Sequence, residues 1–166
     1  MCIRDRLRHR LAVSTLEDLA DGRFEPVLDE IDAHDPARIE RLIFCSGKVY
    51  YDLLEKRREA EQDKVAIVRI EQLYPFPYEE IHQVVARYPV AKEIVWCQEE
   101  PRNQGAWRST RHRIERILRK DQKLEFSGRP PSASPAVGYG NLHIQEQNKL
   151  VMEALALQEN SQQPVG

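Results

Sequence analysis

The feature that most constrains the fold is a regular alternation of apolar runs with helical repeats from residue 39 onward. We predict strands at the apolar runs 39–45, 64–73, 93–97 and 123–126. Between them, apolar residues recur three and four positions apart, which is the spacing of one helix face. Alternating strands and helices with short connections favour an α/β fold with a mostly parallel sheet of four or five strands and helices on both faces.

Three helices are predicted between the strands, and a fourth near the carboxyl terminus. The expected positions are 49–54, 77–88, 107–118 and 142–157. Pro77 is expected in the first turn of the second helix, where a proline costs no hydrogen bond. Ser46 is expected to cap the first helix after the S-G-K turn at 46–48. That turn has neither a P-loop pattern nor a dinucleotide fingerprint, so a plain strand-to-helix turn is favoured.

The chain is interpreted as one domain with flanking segments. Its parts are a non-native leader (1–6), a segment leading into the domain (7–36), the α/β domain itself (37–157) and a disordered polar tail (158–166). Ser14 or Thr15 is expected to cap a short helix in the leading segment. The rest of that segment is interpreted as a polar connection whose few apolar residues must pack on something else.

Composition excludes several classes of partner. The net charge is -2 and the pI about 6.2, which argues against nucleic-acid or membrane-surface binding, because both need a basic excess. Three cysteines without C-x-x-C spacing suit a reducing compartment. No apolar run approaches the length of a membrane span. A cytoplasmic protein is therefore expected.

Cysteine and histidine show no arrangement typical of a catalytic or metal site. Cys45 and Cys97 end apolar strands and are interpreted as buried, inert side chains. The remaining candidates, His82, His112 and His143, fall on three separate predicted helices without a zinc-binding spacing. We therefore expect no catalytic, cofactor-binding or metal-binding residue in this chain.

Two adjacent carboxylates follow the third strand. Glu99 and Glu100 could serve as a general acid and base, but consecutive residues near a strand end point in opposite directions. A structural carboxylate network is the favoured interpretation. Its candidate partners are Arg69, Arg102 and Arg129. The arginine-rich stretch at 108–120 is interpreted as a solvated or interface face of the third helix.

Four runs of sequence carry a family resemblance, and the segment 11–24 supports it. They are C-S-G-K-V-Y-Y-D-L-L at 45–54, V-A-I-V-R-I-E-Q-L-Y-P-F-P at 65–77, V-W-C-Q-E-E-P-R-N-Q-G-A-W at 95–107 and G-R-P-P-S-A-S-P-A-V-G-Y at 128–139. In the residues of these runs, their order and their spacing, the chain resembles the carboxyl-terminal domain of the thiamine-diphosphate-dependent 2-oxoglutarate dehydrogenases. The resemblance implies a fold like the carboxyl-terminal domain of transketolase.

The resemblance also implies a role in a much longer enzyme. That enzyme converts 2-oxoglutarate to a succinyl group on a lipoyl arm, in the citric acid cycle, and uses thiamine diphosphate and magnesium. The G-D-G motif that would hold the cofactor is absent here. The chain is therefore expected to be inactive alone and to complete a homodimer. Its implied partners are the preceding catalytic domains, a second subunit and the dihydrolipoyl succinyltransferase, with no nucleic acid and no membrane.

Some actinobacterial relatives bind acetyl-CoA as an activator through this domain. The corresponding positions here are Arg23, Pro26, Gln72, Glu79 and Glu80. The two glutamates replace an arginine pair, which reverses the sign of the field that a phosphate would meet. The resemblance therefore predicts that this chain lacks acetyl-CoA activation through that site.

An alternative is a free-standing module that senses a nucleotide or CoA. Its candidate effector site for an anion comprises Arg23, Lys48, Gln72 and Arg129. The fragment of a dehydrogenase is favoured, because residues 1–6 join abruptly to sequence that resembles the interior of the family.

Overall fold

A computed structural model describes Val13, Leu16, residues 20–134 and residues 140–157. The strands are β1 (Val27–Leu28), β2 (Arg41–Cys45), β3 (Val65–Ile70), β4 (Glu93–Cys97) and β5 (Lys123–Ser127). The helices are α1 (Val49–Glu59), α2 (Tyr78–Arg87), α3 (Trp107–Glu115) and α4 (Gly140–Ala154). The expected caps Ser14 and Thr15, the leader and the polar tail lie outside the described residues.

The five strands form one sheet in the order β1-β3-β2-β4-β5. Strands β2 to β5 are parallel, and only β1 runs antiparallel to its neighbour β3. In the centre, Ile43 lies opposite Ile67 on one side and Val95 on the other. The prediction of an α/β fold with a mostly parallel sheet is confirmed.

Successive residues of the central strands enter two separate cores. Leu42 and Phe44 pack into a core with α2 and α3, whereas Ile43 and Cys45 pack into a core with α1 and α4. Because both faces are buried, the strands are apolar throughout rather than alternating. In the described chain, no helix has the length and apolar character needed to cross a membrane.

Strand β1 was not expected, because residues 24–36 are interpreted from sequence as a polar connection. Val27 and Leu28 instead pair with Ile70 and Arg69 of β3. A strand of two residues has no hydrophobic period, so only the available edge of β3 decides its conformation.

The expected cap of α1 is wrong. The helix begins at Val49, and the residue before it, Lys48, makes no side-chain cap hydrogen bond. Gly47 has a φ of 81°, a left-handed conformation that glycine adopts without steric cost. The chain therefore turns at Gly47, and the helix starts without the help of Ser46.

A buried ion-pair network ties the leading segment to the domain. The side chain of Arg57, on α1, is 1% exposed and pairs with the carboxylates of Glu30 and Asp32. Glu30 also accepts a hydrogen bond from the backbone N–H of Ile67, at 2.8 Å. Arg57 donates to the carbonyl of Val65 at 3.1 Å. The carboxylate of Glu30 thus provides a hydrogen-bond acceptor for a backbone N–H of β3 that β1 does not reach.

Candidate functional site

The loop after β4 is organised by the side chain of Gln98. Its Oε1 accepts hydrogen bonds from Trp96 Nε1 at 2.9 Å and from the backbone N–H of Trp107 at 3.0 Å. Its Nε2 donates to the carbonyls of Glu100, Pro101 and Gln104. Gln98 is only 3% exposed, so this one amide satisfies five polar groups that the fold removes from water. The sequence interpretation missed Gln98, whose only signal was its place between a buried strand and a proline.

Two glycines allow the backbone to close around this amide. Gly105 has a φ of +64°, and a Cβ added there would lie 2.8 Å from Gln98 Nε2. A Cβ added at Gly128 would lie 2.9 Å from the carbonyl oxygen of Gln98 and 2.6 Å from Phe126 Cζ. The glycines therefore serve the packing of this loop rather than the cradling of a phosphate.

The loop is joined to the segment after β5 by a reciprocal pair of hydrogen bonds. Asn103 Nδ2 donates to the carbonyl of Ser132 at 2.9 Å, and the N–H of Ser132 donates to Asn103 Oδ1 at 3.0 Å. Gln104 Nε2 donates to the same carbonyl at 3.0 Å. The side chains of one loop thus hold the proline-rich segment of the next.

A polar cluster lies at the carboxyl ends of β2, β4 and β5. Its members are Lys48, Asp52, Glu99, Arg129 and Gln147, which we call the edge cluster. Lys48 Nζ lies 3.4 Å from Asp52 Oδ2 and 3.5 Å from Glu99 Oε1. Gln147 Nε2, from α4, donates to both carboxylates at 2.8 and 3.2 Å. Arg129 donates to Gln147 Oε1 at 3.3 Å, which connects the last strand to the cluster.

The carboxylates of the cluster favour the charged form of Lys48. Burial alone would lower the pKa of Lys48, but the carboxylates of Glu99 and Asp52 outweigh it and raise that pKa above its ordinary value. Arg129 is also paired with Glu146, at 3.3 Å, and with the ring of His143. Every charge in the cluster thus has an opposite or hydrogen-bonding neighbour, an arrangement suited to holding elements together rather than to moving protons.

A groove of about 480 Å³ opens beside this cluster, between α1 and α4. Lys48, Asp52, His143 and Gln147 line its inner end, and Val151 and Met152 contribute apolar surface. Both signs of charge line the walls, so the groove has no consistent preference for an anion.

The two predicted carboxylates have different surroundings. Glu99 enters the edge cluster through Lys48 and Gln147. Glu100 contributes its backbone carbonyl to Gln98. Of the three arginines named as candidate partners, Arg69 pairs with Glu71, Arg129 pairs with Glu146, and Arg102 lies over the ring of Phe126.

The candidate effector residues divide into two groups. Lys48 and Arg129 belong to the edge cluster, whereas Arg23 pairs with Glu25 at 2.8 Å on the protein surface. The side chain of Gln72 donates to the carbonyl of Pro75 at 2.9 Å. Among the described residues, no hydrogen bond or ion pair joins Arg23 or Gln72 to the edge cluster.

The cysteines and histidines lie where the sequence predicts. Cys45 and Cys97 are fully buried opposite each other on β2 and β4, and burial raises the pKa of both thiols. His82, His112 and His143 lie on α2, α3 and α4. The expectation that Cys45 and Cys97 are buried is confirmed, and a neutral buried thiol is a poor nucleophile.

In the described part, Glu30, Asp32 and His34 bring ligand-type atoms within 4.8 Å of one another. Arg57 and Arg58 already bind the two carboxylates, which neutralises their charge. This set does not fit magnesium, which prefers oxygen ligands free to coordinate it.

The fold and the edge cluster together define a class: a helix-covered, mostly parallel α/β domain with a structural polar cluster where an active site could lie. Residues 13–155 match the sequence profile of the family described as "2-oxoglutarate dehydrogenase C-terminal". The chain belongs to this family.

Individual relatives support the same assignment. The chain is 54% identical, over 153 residues, to the 2-oxoglutarate dehydrogenase E1 component of Coxiella burnetii. It is 53% identical to the E1 components of Azotobacter vinelandii and Haemophilus influenzae. These matches cover 90–91% of this chain but only 16% of each relative. The chain therefore corresponds to a small carboxyl-terminal part of those proteins.

Proposed function

We propose that the chain is the carboxyl-terminal structural domain of a 2-oxoglutarate dehydrogenase E1 component. The observation that carries the proposal is an identity of about one half to E1 components over nearly the whole chain. In this proposal the complete enzyme decarboxylates 2-oxoglutarate with thiamine diphosphate and magnesium and transfers the succinyl group to a lipoyl arm.

In this proposal the domain has a structural role in that enzyme and supports its other domains. Its charged groups at the carboxyl edge of the sheet are engaged with one another, and Cys45 and Cys97 are buried. Catalytic groups belong, in this proposal, to the remaining domains, and this chain completes the homodimer with a second subunit. The assembled enzyme would act in the cytoplasm with a dihydrolipoyl succinyltransferase.

The proposed division of the chain treats residues 7–36 as the lead into the domain at 37–157. The network of Glu30, Asp32 and Arg57 supports a close association of the two, because breaking it would leave a buried guanidinium without a partner. The leading segment would therefore belong to the same cooperative unit.

A chimera tests the proposal. The corresponding carboxyl-terminal part of the Azotobacter vinelandii E1 component is replaced by this chain, and decarboxylation of 2-oxoglutarate is measured with thiamine diphosphate and magnesium. We expect activity in the chimera and none in a protein truncated before this part, because the truncated protein exposes the surface that the domain covers. A soluble, folded chimera as inactive as the truncated protein would contradict the proposal.

The alternative, a module that senses a nucleotide or CoA, has less support. Lys48 and Arg129 are engaged by Glu99, Asp52 and Glu146, so a phosphate would have to displace carboxylates. We propose that acetyl-CoA does not bind with useful affinity. Isothermal titration of the chain with acetyl-CoA should give no saturable heat. Tight binding that Gln72→Ala abolishes would instead favour the sensing module.

A further inference from the structure

Helix α3 carries a row of basic residues, two arginines with a histidine between them, that have no partner in the described chain. Arg108, His112 and Arg116 are exposed and follow one another at intervals of four residues, so they lie on one face of the helix. Arg116 keeps helical dihedral angles as the residue that ends the helix. We call these three residues the basic stripe, and it extends for about 12 Å.

The basic stripe differs from the other arginines of the described chain. Outside α3 and Arg116, which follows it, every described arginine but one pairs with a carboxylate. The exception, Arg102, lies over the ring of Phe126 at 5.5 Å. On α3, Arg111 pairs with Glu115. For the three residues of the stripe the described chain supplies neither a carboxylate nor an aromatic ring.

Neither the helix dipole nor packing explains the basic stripe. Arg108 is the second residue of α3, where the partial positive charge of the helix dipole disfavours a cation, and the first turn contains no acidic residue. A helix dipole would favour Arg116 alone. Packing does not account for Arg108 either, because α3 buries Trp107, Thr110 and Ile114 instead.

We propose that the basic stripe is a docking surface for an acidic segment of another protein. The guanidinium group binds carboxylates through two parallel hydrogen bonds, and arginine is enriched at protein interfaces. Two guanidinium groups two helical turns apart, with an imidazole between them that can also hydrogen-bond an oxygen, fit carboxylates that recur at every fourth position. Nucleic acid is the poorer fit, because the stripe is short and the chain carries a net charge of -2.

Binding of a helical probe peptide tests this proposal. The probe carries glutamate at every fourth position, and a matched peptide carries glutamine at the same positions. We expect saturable binding of the glutamate peptide to the 166-residue chain, which weakens as salt is raised. Arg108→Glu with Arg116→Glu should weaken binding by about tenfold or more, because two attractions become repulsions. Arg108→Gln with Arg116→Gln should give an intermediate loss.

A double variant on the opposite face of the sheet controls for net charge. Lys56→Glu with Lys149→Glu changes the charge by the same amount on α1 and α4 and should change binding less than twofold. Equal loss in both double variants would contradict the proposal, since net charge alone would then explain it. So would tighter binding of a DNA duplex than of the glutamate peptide, or stripe-dependent self-association of the chain in sedimentation. Circular dichroism should show the same helix content in all variants.

Discussion

At the scale of single residues, Gln98 is the most demanding position in the chain. Its amide contacts two donors and three carbonyls, all in or beside the loop that precedes α3. No other residue type places an acceptor and a donor at these two positions with the same geometry. A glutamate would present acceptors to three carbonyls, and a leucine would satisfy none of the five groups.

Replacing Gln98 should therefore be costly. We expect Gln98→Ala to lower the free energy of unfolding by about 2–4 kcal/mol, because buried backbone groups lose their partners. Urea denaturation measures the loss. Gln83→Ala is the matched control, since Gln83 is exposed on α2 and its side chain bonds, within the described chain, to Glu79 alone. This variant should cost less than about 1 kcal/mol. Equal effects at the two positions would show that the Gln98 hydrogen bonds contribute nothing particular.

Gly105 supports a second prediction. Gly105→Ala should destabilise the chain by about 1–3 kcal/mol, because the residue has a φ of +64° and a Cβ would lie 2.8 Å from Gln98 Nε2. Gly140→Ala provides the control, since a Cβ there meets nothing within 4 Å at the start of a helix. That variant should be neutral or slightly stabilising. Thermal unfolding of both variants decides the matter, and a stable Gly105→Ala protein would refute the packing argument.

At the scale of elements, the attachment of the leading segment depends on one buried network. Glu30 binds both Arg57 of α1 and the backbone of β3, and Asp32 binds Arg57 and Arg58. A segment with a two-residue strand has too few backbone hydrogen bonds to hold itself on the sheet. The ion pairs therefore provide stabilisation that the few hydrogen bonds between β1 and β3 do not.

We expect Glu30→Ala to cost about 3–5 kcal/mol, because it leaves the guanidinium of Arg57 buried and unpaired. The double variant Glu30→Leu with Arg57→Leu should recover part of that loss, since it removes the uncompensated charge as well. Glu25→Ala, which breaks an exposed ion pair with Arg23, is the control and should change stability little. Denaturant unfolding compares all three proteins. A double variant no more stable than Glu30→Ala would contradict the role given to the buried charge.

The same network predicts a pH dependence. The hydrogen bond from Arg58 lowers the pKa of Asp32 from 3.8 to about 2, despite the opposing effect of burial. A carboxyl whose folded pKa lies below its unfolded value stabilises the protein above the unfolded value, and this stabilisation is lost as pH falls through the folded pKa. Stability should therefore fall between about pH 4 and pH 2, by about 1–2 kcal/mol from this group.

Asp32→Asn isolates this contribution. The variant should be less stable than the parent at neutral pH and should lose less stability on acidification below pH 4. Asp63→Asn, at an exposed ion pair with Arg38, is a suitable control. Unfolding curves at a series of pH values give the comparison, and parallel pH profiles for parent and Asp32→Asn would exclude the proposed linkage.

At the scale of the whole molecule, the two cores on either side of the sheet share the central strands. Cys45 and Cys97 lie opposite each other on β2 and β4, with no exposed surface. Any opening that exposes them must separate α1 and α4 from the sheet. Their reactivity thus reports on the integrity of the entire fold.

We expect both thiols to resist a thiol reagent under native conditions and to react together when the chain unfolds. A Cys2→Ser background removes the remaining cysteine from the measurement. The labelling midpoint in urea should coincide with the midpoint from circular dichroism, as a cooperative two-state unfolding requires. Labelling of Cys97 well before global unfolding would instead indicate that α4 opens separately.

The sequence by itself determined the fold class and the positions of the long elements. A strand that is buried on both faces leaves a continuous apolar run in the sequence, such as 93–97. A helix that is buried on one face leaves apolar residues three and four positions apart, such as Ile81, Val84 and Val85. Helix ends were less exact: α3 ends at Glu115 rather than at 118. Ile117 and Leu118 still pack against the core, but the N–H of Ile117 bonds to the carbonyl of Ile114, three residues back instead of four.

Only the tertiary structure decided β1, the role of Gln98 and the membership of the edge cluster. Val27 becomes a strand because β3 offers an unpaired edge, and Gln98 becomes central because the irregular loop that follows it folds back around its amide. Lys48, Glu99 and Gln147 meet although they are distant in sequence, because the carboxyl ends of parallel strands lie at one edge of the sheet. Hydrogen bonds between distant residues leave no local period, so the sequence alone could not reveal them.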